Sequence, residues 1–193
     1  MLSGYRNRFE DSGFILQKVE DFDQLLNFDC GDEDLNEFFQ KDALPHKEEL
    51  LAEIYSLSYE SEYLKLETPV AYISFHNDAI QLSSRKRKQI LPPPKARYKT
   101  LPAVKIGRLG VHKDFQRLNI GTHLLNMVKK FFLINNRTGC RFITVDAYNN
   151  PNVIKFYKKN DFKFLSDQDK THKTRLMYFD LKRLKNNYNN LDC

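Results

Sequence analysis

The residues whose types and spacing could do chemistry are gathered in Gln116-Arg117-Leu118-Asn119-Ile120-Gly121-Thr122. Before them, Val104, Ile106, Leu109 and Val111 form a β-rich run; after them, Ile120, Leu124, Leu125 and Val128 recur at the spacing of one buried helix face. A strand that feeds a helix through a short loop leaves backbone N–H groups unpaired at the helix N-terminus, where the dipole also favours negative charge. The chemistry of such a loop is anion binding, with phosphate the usual ligand. Close approach to a phosphate needs small or conformationally permissive residues. Gly121 and Thr122 provide them, and Asn119 is comparatively tolerant of left-handed backbone. Gln116 and Arg117 would flank the phosphates, Arg117 by charge. The alternative is an ordinary polar turn between strand and helix.

The elements that must position this loop can be read from periodicity. Residues 13–19 read as a first strand after an N-terminal arm at 1–12. In Phe28-Asp29-Cys30-Gly31-Asp32-Glu33-Asp34-Leu35-Asn36-Glu37-Phe38-Phe39, Asp32 or Asp34 offers an N-cap. An amphipathic helix comes after it, with Leu35, Phe38, Phe39 and Leu44 on one side. Residues 51–59 and 70–75 alternate as two antiparallel strands joined by a loop. Residues 78–103, with Arg85-Lys86-Arg87-Lys88 and Pro92, Pro93 and Pro94, read as a basic surface excursion containing one helical turn. The central strand and helix come next, the helix running to about Asn135 and Gly139 serving as a left-handed stop. Residues 140–147 are a buried strand, and Asn149-Asn150-Pro151 opens a helix carrying Val153, Ile154, Phe156 and Tyr157. Residues 161–165 and 175–181 are the last strands, before a polar tail at 183–193. The pattern is α/β (α+β): a single domain over 1–193, with a mixed, mostly antiparallel sheet of about six to seven strands flanked by helices and one strand-helix-strand crossover.

Composition narrows the class. With 193 residues, 15 Phe and 10 Tyr, the chain has material for one sizeable aromatic core. No stretch approaches the roughly 20 apolar residues of a membrane span, and the first residues lack a signal peptide's apolar centre. Cys30, Cys140 and Cys193 form no C-x-x-C, and Cys30 and Cys140 read as small core residues. A reducing cytoplasm is the expected compartment. His46, His76, His112, His123 and His172 lack metal-ligand spacing and read as surface or capping residues, so no metal is expected. The net charge of +6 is uneven: residues 20–37 hold eight acidic and no basic side chains, whereas residues 85–99 hold seven basic and no acidic ones. The acidic run is read as helix-terminus and solvent chemistry or a partner surface, the basic run as a solvated excursion or an RNA-facing patch.

Three stretches together resemble the GNAT acetyltransferases, which acylate amines with acetyl-CoA. They are the loop Gln116 to Gly121 beside the family's Q/R-x-x-G-x-G/A, the strand Val104-Lys105-Ile106-Gly107-Arg108-Leu109-Gly110-Val111, and Asn150 to Phe162 beside N-x-x-A-x-x-x-Y-x-x-x-G-F. The resemblance covers nearly the whole chain. It implies acetyl-CoA as co-substrate, bound by Leu109, Gly110, Val111, Gln116, Arg117, Leu118, Asn119, Ile120, Gly121, Thr122 and Asn150. The pantetheine arm would pair with the strand near Leu109, Gly110 and Val111, where Gly110 marks a bulge or close approach. Tyr157 matches the family's general acid, which protonates the departing thiolate. Asn119 replaces the family's first Gly. Asp161 replaces the Gly before Phe162, which implies a differently shaped turn.

The other side of the reaction is less defined. Glu53, Tyr55 and Asp146 are candidates for the acceptor side or the base, and Arg85, Arg87 and Lys88 for contacts to an acceptor. Taken without the family, Tyr157 would be a core aromatic with a satisfied hydroxyl. The Phe28 to Phe39 stretch and the central strand look like the toxin-antitoxin subgroup, whose members acetylate the amino group of aminoacyl-tRNA. The expected partners are then tRNA through the basic patch, an antitoxin protein and a second copy in a homodimer. The alternatives are a GNAT enzyme acting on a small amine or a protein, and a catalytically idle GNAT fold that binds RNA or protein.

Overall fold

Alternation of buried and exposed side chains turns the strand-forming stretches into one mixed sheet. The computed structural model describes residues 8–59, 68–91, 98–134 and 139–188. In chain order the elements are β1 (Arg8–Asp11), β2 (Phe14–Lys18), α1 (Glu33–Glu37), α2 (Ala43–Glu48), β3 (Glu53–Tyr59), β4 (Thr68–Gln81), α3 (Ser84–Ile90), β5 (Thr100–Val111), α4 (Ile120–Ile134), β6 (Phe142–Tyr148), α5 (Pro151–Lys159), β7 (Lys163–Phe164), β8 (Thr174–Asp180) and α6 (Lys182–Tyr188). The eight strands lie in the order β1-β2-β3-β4-β5-β6-β8-β7, and α4 makes the crossover from β5 to β6. The pairs β1/β2, β2/β3, β3/β4, β6/β8 and β7/β8 are antiparallel. No helix among the described residues is long and apolar enough to cross a membrane.

Two compact units divide the chain, residues 1–76 with 106–131 and residues 77–105 with 132–193. In the first, β1 corrects the expected arm: residues 8–11 pair with β2 through a two-residue turn, Asp11 facing Phe14. The turn residues Ser12 and Gly13 sit at φ 53° and 78°, the double left-handed geometry that suits a tight hairpin. This strand is the eighth. Asp32 caps α1, its carboxylate accepting the Leu35 N–H at 3.1 Å. Between α1 and α2, residues 38–42 form a π-helical turn, in which the Ala43 N–H donates to the Phe38 carbonyl. The extra residue rotates the start of α2, so that Ala43 is buried and Leu44, expected on the buried side, is 43% exposed. Pro45, which has no N–H to give, lies just beyond the widened turn. Phe28, Phe38, Phe39, Ile54 and Tyr72 form the core of this unit, each full burial of such a side chain being worth about 1.5–3 kcal/mol.

The second unit corrects the expected excursion at both ends. β4 runs on to Gln81 and β5 starts at Thr100, and between them α3 is capped by the Ser83 hydroxyl, which accepts the Lys86 N–H. Ile80, Leu82, Leu91, Leu101, Ala103 and Phe142 cluster as its core, so residues placed in an excursion on grounds of charge include core positions. Pro92, Pro93, Pro94, Lys95 and Arg97 lie outside the described residues, as do Asn135 and Cys193. The expected tail begins as a helix, α6. The polar turn before β8 is ordered by Asp169, which holds the Arg175 side chain at 2.7 Å and the Leu176 N–H at 2.7 Å.

Asp161 corrects the expectation of a different turn. Its φ is +66°, the Phe162 N–H donates to the Tyr157 carbonyl and the Asp161 N–H to the Lys158 carbonyl. This pair of bonds is the Schellman closure that a glycine would make. An aspartate therefore occupies the glycine conformation at a steric cost. Asp161→Gly is expected to stabilise the protein by about 0.5–1 kcal/mol, read as a higher urea midpoint at unchanged slope.

Candidate active site

The anion loop belongs to the first unit. After β5, the turn Lys113–Phe115 is capped by the His112 ring, which accepts the Asp114 N–H at 3.3 Å. Arg117 and Asn119 then take φ values of 63° and 60°, left-handed at alternate residues. Left-handed residues of this kind are a component of the backbone concavities that bind anions. The Asn119 carbonyl accepts the N–H groups of Thr122 and His123 at 3.0 Å, starting α4. The first turn of α4 carries no carboxylate, so its positive end is not neutralised from within. Gln116, Arg117, Leu118 and Asn119 are exposed, while Ile120, Leu124, Leu125, Met127 and Val128 anchor the helix inward. The expected face of α4 is the buried one. Gln116 is committed elsewhere: its amide donates to the Cys30 carbonyl at 2.6 Å and the Val111 carbonyl at 3.1 Å, which ties the loop down.

What Gly110 answers is a close approach. A side chain there would meet the Phe28 ring at 3.0 Å and the Phe39 ring at 3.3 Å. At Gly107 an added carbon would stand 2.8 Å from the Ser74 hydroxyl, which accepts the Arg108 N–H at 2.8 Å. The acceptor-side candidates in this unit are engaged in structure. Glu53 pairs with Lys18 at 2.8 Å, and the Tyr55 ring packs edge-on against Phe75 and Phe131.

In the second unit, the Asn150 side chain accepts the N–H groups of Asn152 and Val153 at 2.9 and 3.1 Å, and Pro151 opens α5. The cap fixes the helix that carries Tyr157. That side chain is 7% exposed, lies edge-on to Phe156 and Phe162, and has its phenol pushed well above the usual tyrosine range by burial. It is therefore a protonated donor throughout the neutral range. Asp146 pairs with Lys105 at 2.6 Å. On α3, Arg85 and Lys88 are exposed, whereas Arg87 donates to the Leu82 carbonyl at 2.7 Å and Lys86 to the Leu165 carbonyl at 2.8 Å. Two of the four cations of the Arg85–Lys88 cluster are thus turned to structural bonds.

Sequence reasoning missed the supports of the loop: Asp29, Asn36 and Lys113, joined by short polar contacts. The available signal is the motif around Asp29, whose acidic residues read in the sequence as helix-terminus and solvent chemistry or a partner surface. Cys30 is buried as expected, its thiol 3.1 Å from the Asn36 side-chain oxygen; Cys140 is half-buried, and neither forms a disulfide. Among the described residues no group of side chains could hold a metal ion.

Residues 88–164 match the family model described as acetyltransferase (GNAT) domain. No curated protein matches the chain. Among solved structures, AtaT complexed with acetyl-methionyl-tRNAfMet is 22% identical with a TM-score of 0.67, the match covering 91% of this chain and 99% of that one. A tyrosine-to-phenylalanine mutant of KacT is 20% identical with a TM-score of 0.66, covering 91% and 99%. AtaTR bound with acetyl-CoA is 21% identical with a TM-score of 0.64, covering 91% and 98%. At these identities the likeness establishes the fold.

The left-handed Asn119 yields a direct test. Asn119→Gly is expected to bind acetyl-CoA as tightly as the unsubstituted chain or up to about threefold more tightly, because glycine adopts the same backbone without strain. Gly121→Val, which crowds the first turn of α4, is expected to weaken binding more than about tenfold, both read by calorimetry.

Proposed function

We propose that this chain, in which residues 88–164 match an acetyltransferase (GNAT) domain, uses acetyl-CoA to acetylate a primary amine, with the amino group of an aminoacyl-tRNA as its leading acceptor. The observation that carries the reading is the loop from Gln116 to Thr122, whose left-handed turns and carboxylate-free helix start suit a pyrophosphate. Its residues fit the co-substrate: exposed N–H groups for the diphosphate, Arg117 for added charge, and the end of β5 near Leu109, Gly110 and Val111 for strand-like pairing with the pantetheine arm. Acetyl-CoA supplies an activated acyl thioester.

The chain's own groups do the rest. Backbone N–H groups near Val111 take up the charge that develops on the carbonyl oxygen as the amine attacks. Tyr157 donates its proton at the sulfur of the leaving thiol, while the acylated nitrogen gives up its proton to solvent, from which the phenol is restored. Burial keeps that phenol in its protonated form through the neutral range, so the proton is present when the thiol departs. Asn150 sets the start of the helix that presents this phenol. The tRNA acceptor is supported by the likeness to AtaT, whose complex contains acetyl-methionyl-tRNAfMet, and by the exposed Arg85 and Lys88. An antitoxin protein belongs to the same reading, AtaT having been seen bound to the C-terminus of AtaR.

A second reading, acetylation of a small amine or a protein, draws on the inward bonds of Lys86 and Arg87, which leave fewer cations for a polyanion. Incubation with labelled acetyl-CoA, charged tRNA, polyamines and peptides separates the two. Label on tRNA that falls with Arg85→Gln and Lys88→Gln, most steeply at low salt, supports the first; label on polyamine or peptide alone supports the second. Tyr157→Phe is expected to lower kcat at least about 100-fold with acetyl-CoA affinity kept. Since burial raises the Tyr157 pKa, its acid form persists on the alkaline side. The log kcat profile is expected to show no descending limb below about pH 10.

A further inference from the structure

The Phe28 to Phe39 motif contributes no group to the acetyl transfer itself, yet it is tied to the anion loop at several points. The Asp29 carbonyl accepts the Lys113 N–H at 2.9 Å, and the Asp29 carboxylate pairs with the Lys113 ammonium at 2.8 Å. The other Asp29 oxygen accepts the Gly31 N–H and the Asn36 side-chain amide, each at 2.9 Å. The Asn36 oxygen accepts the Cys30 N–H at 2.8 Å, and the Cys30 carbonyl in turn receives the Gln116 amide at 2.6 Å. Lys113 and Gln116 bracket the turn that leads into the left-handed residues. Both ends of the turn are therefore held by one short segment centred on Asp29.

We propose that Asp29 is a positioning residue for acetyl-CoA: through Lys113 directly and through Asn36 and Cys30 to Gln116, it holds the loop in its binding shape before the co-substrate arrives. The inference rests on the loop being the pyrophosphate site. Left-handed backbone at Arg117 and Asn119 is disfavoured in a free chain, so an untethered loop spends time in other conformations and binds more weakly. Lys113 holds the Asp29 carboxyl well below the usual carboxylate range, with the Gly31 N–H and Asn36 adding to the effect, so the tether stays charged at neutral pH.

The sign of the effect distinguishes positioning from simple electrostatics. A carboxylate near a bound diphosphate repels it, so by charge alone Asp29→Asn should tighten binding. Positioning requires the opposite. Asp29→Asn is expected to raise the Kd for acetyl-CoA about five- to tenfold by calorimetry, to raise its KM in parallel, and to leave kcat at saturation within about twofold. Amide hydrogen exchange should quicken over residues 116–122 and not across β3 and β4. Asn36→Ala, which breaks the same chain without changing charge, should act in the same direction and serves if Asp29→Asn does not fold. An unchanged or lower Kd in both variants overturns the proposal, as does a fall in kcat at unchanged KM, the mark of a smaller folded fraction. If the unsubstituted chain itself gives no heat with acetyl-CoA, the cofactor reading fails, and this inference with it.

Discussion

Left-handed backbone at Arg117 and Asn119 is the constraint on which the arrangement of the first unit turns. Neither residue is glycine, so each holds its shape only because neighbouring elements over-determine it. Below the loop, α4 sinks Leu124, Leu125 and Val128 completely into the core. Beside it, Gln116 is fastened to two carbonyls, and β5 is drawn against the Phe28 and Phe39 rings at Gly110, where no side chain intervenes. The aromatic core and the polar loop are thus not separate features. Packing at Gly110 sets where β5 ends, and that end sets where the left-handed residues begin.

The second unit solves a different problem with the same means. Its candidate acid needs a setting that favours the neutral phenol and a place on a defined helix. Burial of Tyr157 among Phe156 and Phe162 answers the first need. The second is met at both helix ends, by the Asn150 cap and by the Asp161 turn whose two backbone bonds close the last carbonyls. A residue with a polar task is placed by apolar contacts, and the polar residues around it hold the helix in place.

The loop, its helix and the capped α5 are legible in the chain because their signals are local: spacing of apolar residues, an Asn before a Pro, a small residue at a helix start. What escapes is non-local or conformational. Asp161 reads as changing a turn when residue type is taken for backbone demand, whereas the fold imposes the glycine shape on an aspartate. Leu44 is misplaced because a π-helical turn leaves no compositional mark yet rotates the helix beyond it. Arg87 looks like a free cation in a basic run but reaches a carbonyl five residues back. The pairing of Asp29 with Lys113 joins distant parts of the chain, and no periodicity points to it.

The sheet's two margins carry a consequence of another kind. The described part of β1, Arg8–Asp11, carries charged residues at three of its four positions, and β7 spans only Lys163–Phe164. Unpaired strand edges are templates on which chains add to one another, and brevity together with charge is how sheets refuse such additions. Asp11 is further occupied by its ion pair with Lys130. The charged strand that reads as part of an arm in the sequence therefore gives this margin of the sheet an edge poorly suited to adding a further chain.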